Sequence, residues 1–256
     1  MSHDRILAEG LDAAFPALSP LQRLERLAGT LTGRIVFTTS LGLEDQMITH
    51  LIFTAGLPID VVTLDTGRLF PETYTLWRET EERYGRRIRA RYPDAQALEA
   101  LIEDQGIDGF YFGMDMRKAC CGVRKVEPLA RALAGASGWV TGLRRDQSAN
   151  RESLDFVTYD AARGLVKANP LFDWTREDIR RFNAAENVPV NSLHDAGFLS
   201  IGCAPCTRAI APGEPERAGR WWWEDEARKE CGLHVAPDGT AVRSRAVGAD
   251  PALHRA

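Results

Sequence analysis

No stretch of roughly twenty uncharged apolar residues, the length needed to cross a bilayer, occurs in the 256-residue sequence. There is no excess of positive charge either: 32 Lys and Arg face 36 Asp and Glu, for a net charge of −4. A broadly basic nucleic-acid binder is thereby excluded, although a local basic pocket is not. The amino-terminal Met1-Ser-His-Asp-Arg-Ile lacks the basic-then-apolar order of a secretory signal. The Gly-Lys-Ser/Thr ending of a Walker loop is missing, as is a dinucleotide-type GxGxxG. Internal repeats and low-complexity segments are absent too. These absences predict a cytoplasmic chain in a reducing compartment, without nucleic-acid or membrane partners. Cysteine is scarce, with five residues. In such a compartment these are metal ligands or catalysts before they are disulfides.

What is present is an alternation of short apolar runs with helical patterns. Ser19 is a candidate N-cap for a helix with Leu21, Leu24, Leu27 and Ala28 on one face. Strands are predicted at 34–39, 59–64, 87–92 and 138–143, and helices at 45–53, 71–84, 95–105 and 120–134, with 110–115 irregular. Thr175 and Asp178 form a capping box for a further helix through Asn183. Strands alternating with helices of this length imply an α/β fold, a Rossmann-like parallel sheet with helices on both faces. The expected segments are a helical lead-in over 1–30, a ligand-binding α/β body over 31–223 and a mobile carboxy-terminal tail over 224–256.

In such sheets ligands sit beyond the carboxyl ends of the strands, and three strand ends carry unusual chemistry. Thr38-Thr-Ser-Leu-Gly-Leu-Glu-Asp offers hydroxyls at Thr39 and Ser40 and a close backbone approach at Gly42. It can cradle an anion at a helix start or simply cap the helix, and Glu44 and Asp45 there would repel a phosphate. Leu64-Asp65-Thr-Gly-Arg suits an adenylate-binding loop, or an ordinary loop capped by Asp65. Gly142-Leu-Arg144-Arg145-Asp-Gln-Ser places two arginines directly after a buried strand, where guanidinium forks match phosphate or sulfate oxygens. Adjacent side chains leave a strand in opposite directions, and Arg144 is the one expected to face the pocket. Lys125, Arg124, Arg151, Arg208, Arg217 and Arg220 can enrich the same pocket.

Cys120-Cys121 and Cys203-Ala-Pro-Cys206 supply four thiols, a complete set for tetrahedral zinc or an iron–sulfur cluster. Adjacent cysteines diverge, which is awkward around one ion and natural at two corners of a cubane, so a [4Fe–4S] cluster is favoured. Buried core thiols or a C-x-x-C redox pair are the alternatives. Cys231 remains, in Lys229-Glu-Cys-Gly-Leu-His234. Lys229 and His234 can lower its pKa and make it a nucleophile; an exposed cysteine without a role is the plain alternative. Trp221-Trp-Trp-Glu reads as a packing cluster anchoring the tail.

Together Cys120-Cys121, Cys203-Ala-Pro-Cys206, Glu230-Cys-Gly-Leu-His, Leu64-Asp-Thr-Gly-Arg and Gly142-x-Arg-Arg-Asp-Gln-Ser resemble the bacterial, iron–sulfur type of assimilatory adenosine 5′-phosphosulfate reductase. The resemblance covers residues 30–235. It implies an adenine-nucleotide alpha-hydrolase-like fold and reduction of adenylyl sulfate to sulfite and AMP by thioredoxin or a similar dithiol protein, in sulfate assimilation and cysteine biosynthesis. It implies Cys231 as the nucleophile that becomes S-sulfocysteine, and Cys120, Cys121, Cys203 and Cys206 as ligands of a [4Fe–4S] cluster. Around the substrate it implies Thr39, Ser40, Gly42, Glu44, Asp45, Leu64, Asp65, Lys125, Gly142, Arg144, Arg151, Arg217, Arg220 and His234. The rival reading within the resemblance is a 3′-phosphoadenylyl-sulfate reductase or a dual-specificity enzyme. Relatives with that substrate mostly lack the four cysteines. A homo-oligomer is compatible with the sequence.

Overall fold

The computed structural model describes residues 3–147 and 155–224. Two helices lead in, α1 (His3–Ala14) and α2 (Pro20–Thr30). The second is closed by Ser19, whose hydroxyl accepts from the Gln22 N–H while the Gln22 side chain accepts from the Ser19 N–H, with Pro20 at the first helical position. Then follow β1 (Arg34–Thr39), α3 (Leu43–Thr54), β2 (Ile59–Leu64), α4 (Pro71–Tyr84), β3 (Arg89–Arg91) and α5 (Ala95–Gln105). Next come α6 (Met114–Cys121), α7 (Glu127–Leu133), β4 (Ala136–Val140), β5 (Val157–Asp160), β6 (Leu165–Ala168) and α8 (Arg176–Ala185).

The six strands form one sheet in the order β3-β2-β1-β4-β6-β5. Every neighbouring pair is parallel except β5 with β6. Period-two alternation sorts the strand residues onto two faces. Ile35, Phe37, Val61 and Val140 join Leu24, Leu27, Met47, Ile48 and Leu76 in one core. Val36, Val62 and Trp139 pack on Leu129, Ala132 and Leu133 of α7 on the other. Helices therefore cover both faces, as the sequence implies. The lead-in is part of the first core, through Ala8 and Leu11 of α1.

Four differences from the sequence reading stand out. The Cys120-Cys121 pair does not open a helix at 120; it closes α6, and the helical path continues to Leu133 through a π-turn at Gly122–Val126. Pro128 accounts for the wide turn, because it has no N–H to give the Arg124 carbonyl and its ring would collide with it. The strand expected at 138–143 ends at Val140, freeing Thr141–Arg144 for the site. The 157–168 hairpin lacks clean alternation, since all four β6 residues are buried, so its strands escape a period-two reading. The strand placed at 87–92 spans only Arg89–Arg91.

Candidate active site

β1 and β2 on one side and β4 on the other bracket the point where the strand order reverses, and a cavity of about 210 Å³ opens beyond their carboxyl ends. Thr38, Thr39, Ser40 and Gly42 at the end of β1, Thr63, Leu64 and Thr66 at the end of β2, and Thr141 and Gly142 after β4 form its floor. Lys125 from the π-turn and Arg217 and Arg220 from the late segment add cations to its wall. The first loop turns at Leu41, a buried residue at φ 59°, a conformation sparsely used by branched side chains. The Thr39 hydroxyl accepts from the Leu41 N–H at 2.9 Å and holds that turn.

The anion cradle of this loop is filled from within. Asp45 Oδ2 accepts from the Ser40 N–H at 2.6 Å and from the Ser40 hydroxyl at 2.7 Å. Burial pushes the Asp45 carboxyl up to about 7, although both Ser40 hydrogen bonds pull it down; the Glu44 charge beside it pushes the same way as burial. Gly142 is required opposite, because a Cβ there would stand 2.2 Å from Asp45 Oδ1. His194, also on the cavity wall, is held below the usual imidazole range by burial, with its Nδ1 2.8 Å from the Phe198 carbonyl oxygen.

Arg144 does not reach the cavity. Its side chain is fully buried and committed to carboxylates: Nε donates to Glu44 at 2.7 Å, Nη2 to Glu216 at 3.0 and 2.8 Å, and Nη1 pairs with Asp146. Arg145 is exposed and lies 4.8 Å over the Phe172 ring. Asp65 likewise stands behind the wall, where Oδ1 accepts from the Gly67 N–H and the Tyr74 hydroxyl, each at 2.8 Å. This is the loop-capping role that residue type allows. Thr39, Ser40, Gly42, Glu44, Asp45, Leu64, Lys125, Gly142, Arg217 and Arg220 meet at one cavity. Arg151, Cys231 and His234 lie outside the described residues.

A second, smaller chamber adjoins the first and shares Lys125 and Trp221 with it. Cys120, Cys121, Cys203 and Cys206 all line it as free thiols, so the fold unites pairs that are far apart in sequence. Phe110 and Trp221 pack against the thiols. Burial pushes the Cys206 thiol up to about 12, with the neighbouring Cys203 and Cys120 adding to the shift and Lys125 and Arg220 opposing it. Burial also raises Cys120, against the Arg124 charge beside it. The Thr66 hydroxyl lies 3.2 Å from Cys203 Sγ, and Arg124 Nη1 donates to the Thr66 carbonyl at 2.6 Å. Among the described residues no group of three or more His, Cys, Asp or Glu is arranged to hold a metal ion.

Trp221 is the partition between the two chambers. It is buried between Arg117 and Arg220, whose guanidinium carbons lie 4.7 and 4.9 Å from its ring. Arg117 is held in turn by a two-pronged pair with Glu224, at 2.9 and 2.7 Å. The tryptophan run is thus a packing cluster, as its composition indicates. Sequence reasoning missed Glu216, His194 and the Thr66–Cys203 contact, because single polar residues in a Gly- and Pro-rich segment carry no spacing signal.

An open, mostly parallel α/β sheet with a cation-lined cavity at its switch point and a chamber of four thiols beside it defines an α/β protein of the nucleotide-binding type. Residues 34–209 match the phosphoadenosine phosphosulfate reductase domain, and the chain belongs to that family. It is 58% identical to the adenosine 5′-phosphosulfate reductase of Agrobacterium fabrum over 88% of this chain and 86% of the relative. To the protein of that name from Allochromatium vinosum it is 54% identical, over 78% of each chain. Among solved structures, the phosphoadenylyl-sulfate reductase of Candida auris in a phosphate complex superposes with a TM-score of 0.69 at 25% identity, covering 82% of this chain and 99% of that one. No helix among the described residues is long and apolar enough to cross a membrane.

Proposed function

We propose that this chain reduces adenosine 5′-phosphosulfate to sulfite and AMP, with a dithiol protein of the thioredoxin type as the electron donor. The observation that carries the reading is the junction of the two chambers at Lys125, which puts a cation wall for a phosphosulfate beside a complete four-thiol set. The names of the relatives support the same substrate. The sulfur of an adenylyl sulfate is shielded by negative oxygens, and Lys125, Arg217 and Arg220 are fixed where they can neutralise them.

Cys231 supplies the nucleophile. Its thiolate attacks the sulfate sulfur, an S–S bond forms, and the bond from sulfur to the bridging phosphate oxygen breaks, releasing AMP. A thiolate of the donor then attacks Cys231 Sγ and expels sulfite. The donor's second thiol resolves the mixed disulfide and frees Cys231. Sulfur gains two electrons and the dithiol becomes a disulfide, so the ledger of atoms and electrons closes. Cys120, Cys121, Cys203 and Cys206 would hold a [4Fe–4S] cluster, which takes one thiolate at each corner and so does not need them to converge on a single ion: four soft donors line one chamber, packed by Phe110 and Trp221, with Arg68, Arg117, Arg124 and Lys125 around it to offset thiolate charge. Bound there, the cluster supplies charge and architecture beside Lys125; the two electrons come from the thiols. Cytoplasm, where dithiol donors are kept reduced, suits this chemistry.

The test is sulfite release from adenylyl sulfate with thioredoxin, run beside the 3′-phosphorylated substrate. Substrate without reductant should add one sulfite-sized mass to the peptide that holds Cys231, and thioredoxin should remove it. Cys231→Ser should keep binding and iron yet release no sulfite, because a hydroxyl has almost no anionic fraction at neutral pH. Turnover by that variant, or an adduct on Cys203 or Cys206, would refute the assignment of roles among the cysteines. A preference for the 3′-phosphorylated compound would overturn the substrate.

A further inference from the structure

We propose that Arg144 and Glu216 form a positioning pair that holds the segment carrying Arg217 and Arg220 against the first nucleotide loop, and that the Arg144 guanidinium makes no contact with substrate. The proposal rests on the adenylyl-sulfate reading above. It departs from the simplest use of an arginine at a strand end, which is to bind the anion.

Each of the three guanidinium nitrogens is already engaged: Nε with Glu44, Nη1 with Asp146 and Nη2 with both oxygens of Glu216. An approaching phosphate would meet three carboxylates before it met the arginine. These contacts tie three separate segments together: Glu44 opens α3, Arg144 follows β4, and Glu216 belongs to the late loop. Arg176 Nη1, from α8, lies 3.6 Å from Glu216 Oε1 and adds a fourth. Buried carboxylates held this way by two arginines set position, because leaving either partner behind unpaired is costly.

The loop's other end is pinned as well. The Arg208 N–H donates to the Gly219 carbonyl at 3.0 Å, Thr207 bridges Arg220, and the Trp221 N–H donates to the Cys206 carbonyl at 3.1 Å. Gly219 is needed for that approach, since a Cβ would stand 2.3 Å from the Arg208 carbonyl oxygen. Between the pins, the Arg220 N–H donates to the Arg217 carbonyl at 2.9 Å, so both cations ride on one short turn. Glu216 is the residue that joins this turn to the rim of the sheet.

Charge and position predict opposite signs. Glu216 lines the cavity, so by Coulomb's law alone Glu216→Gln should tighten binding of an anion. If Glu216 instead holds Arg217 and Arg220 in place, the same change weakens binding. The experiment is calorimetric titration of the full-length, anaerobically purified protein with AMP. Glu216→Gln should bind about ten-fold more weakly than wild type, the size of effect that coupled charged neighbours give. Glu216→Asp, which keeps the charge and shortens the reach, should weaken binding as well. On an Arg217→Ala, Arg220→Ala background, Glu216→Gln should add almost nothing, a non-additivity that a general loss of stability would not produce. Equal or tighter binding by both Glu216 variants, or full additivity, would overturn the proposal. Wild-type protein that does not bind AMP would instead overturn the substrate reading beneath it.

Discussion

The two chambers that meet at Lys125 are built by different means. The larger rests on strand ends: its floor is backbone of β1, β2 and β4 held in register by the parallel sheet, and its wall mixes carboxylates with cations. The smaller rests on no strand. It is assembled from the end of α6, the π-turn, the Cys203–Cys206 turn and Trp221, and it is small and closed by aromatic rings. The first is a shape for a molecule that enters and leaves, polar and partly filled by its own Asp45. The second is a shape for a group that stays, since burial raises its thiols and only a bound cation or the surrounding Arg and Lys charges favour the thiolate form. Division of labour between sheet and loops follows: the sheet shapes the larger chamber, and the loops set the charge beside it.

The comparison breaks most severely at the cysteines. Changing any one of Cys120, Cys121, Cys203 or Cys206 to Ser should reduce bound iron, expected at about four per chain for a Cys₄ cubane, to near zero. Iron analysis with visible absorption reads this directly, and stoichiometric zinc without iron or sulfide would sink the cluster. Lys125→Ala comes next. Because it lines both chambers, it should keep the iron yet lose about 2–5 kcal/mol of transition-state stabilisation in kcat/KM. Loss of iron together with activity would move Lys125 to the thiol chamber alone.

The adjacent arginines sharpen the larger chamber. Arg144→Ala leaves the buried Glu44 without its arginine and Glu216 with Arg176 alone, and should destabilise the fold by about 3–5 kcal/mol. Arg145→Ala removes an exposed charge stacked on Phe172 and should cost about 0.5–1 kcal/mol. Equal losses in thermal or denaturant unfolding would contradict the buried clamp. Alternation past a strand end separates the two, but the expectation that Arg144 faces the pocket fails, because carboxylates hold it away from the cavity. Its partners are not legible in the sequence, since Glu44, Asp146 and Glu216 reach it from three parts of the chain.

That limit runs through the molecule. β1, β2, α4, α5, the Ser19 N-cap and the Thr175 capping box were readable because periodicity and caps are local properties. The four thiols were readable as a set because cysteine is rare and paired. The π-turn was not, because Pro128 inside a helical pattern signals a break while Glu127 and Leu129 keep the helix going. The β5–β6 hairpin hid because β6 is buried at every position and β5 does not alternate. Asp65 carries a motif-like position yet serves its own loop, a distinction that depends on Tyr74 nine residues on.

The last expected effect is a pH dependence at Asp45, and it separates filling a cradle from binding in it. The Asp45 carboxyl titrates near 7 in the folded protein against 3.8 for an ordinary Asp, and burial is the main cause. Between those values the folded state holds a proton that the unfolded state has released, so this group makes stability fall as pH rises from about 4 to 7. Burial raises Glu216 in the same direction. Asp45→Asn keeps an oxygen for the Ser40 N–H and hydroxyl but cannot ionise. Its unfolding free energy should therefore decline less than wild type across that interval, with the two curves closest at the acid end, where wild-type Asp45 is also neutral. Denaturant unfolding at several pH values measures the difference. An Asp45→Asn curve parallel to wild type would mean that the carboxylate is ionised throughout, stabilised by Ser40 more than burial opposes it. The cradle would then hold a full negative charge at the floor of the larger chamber.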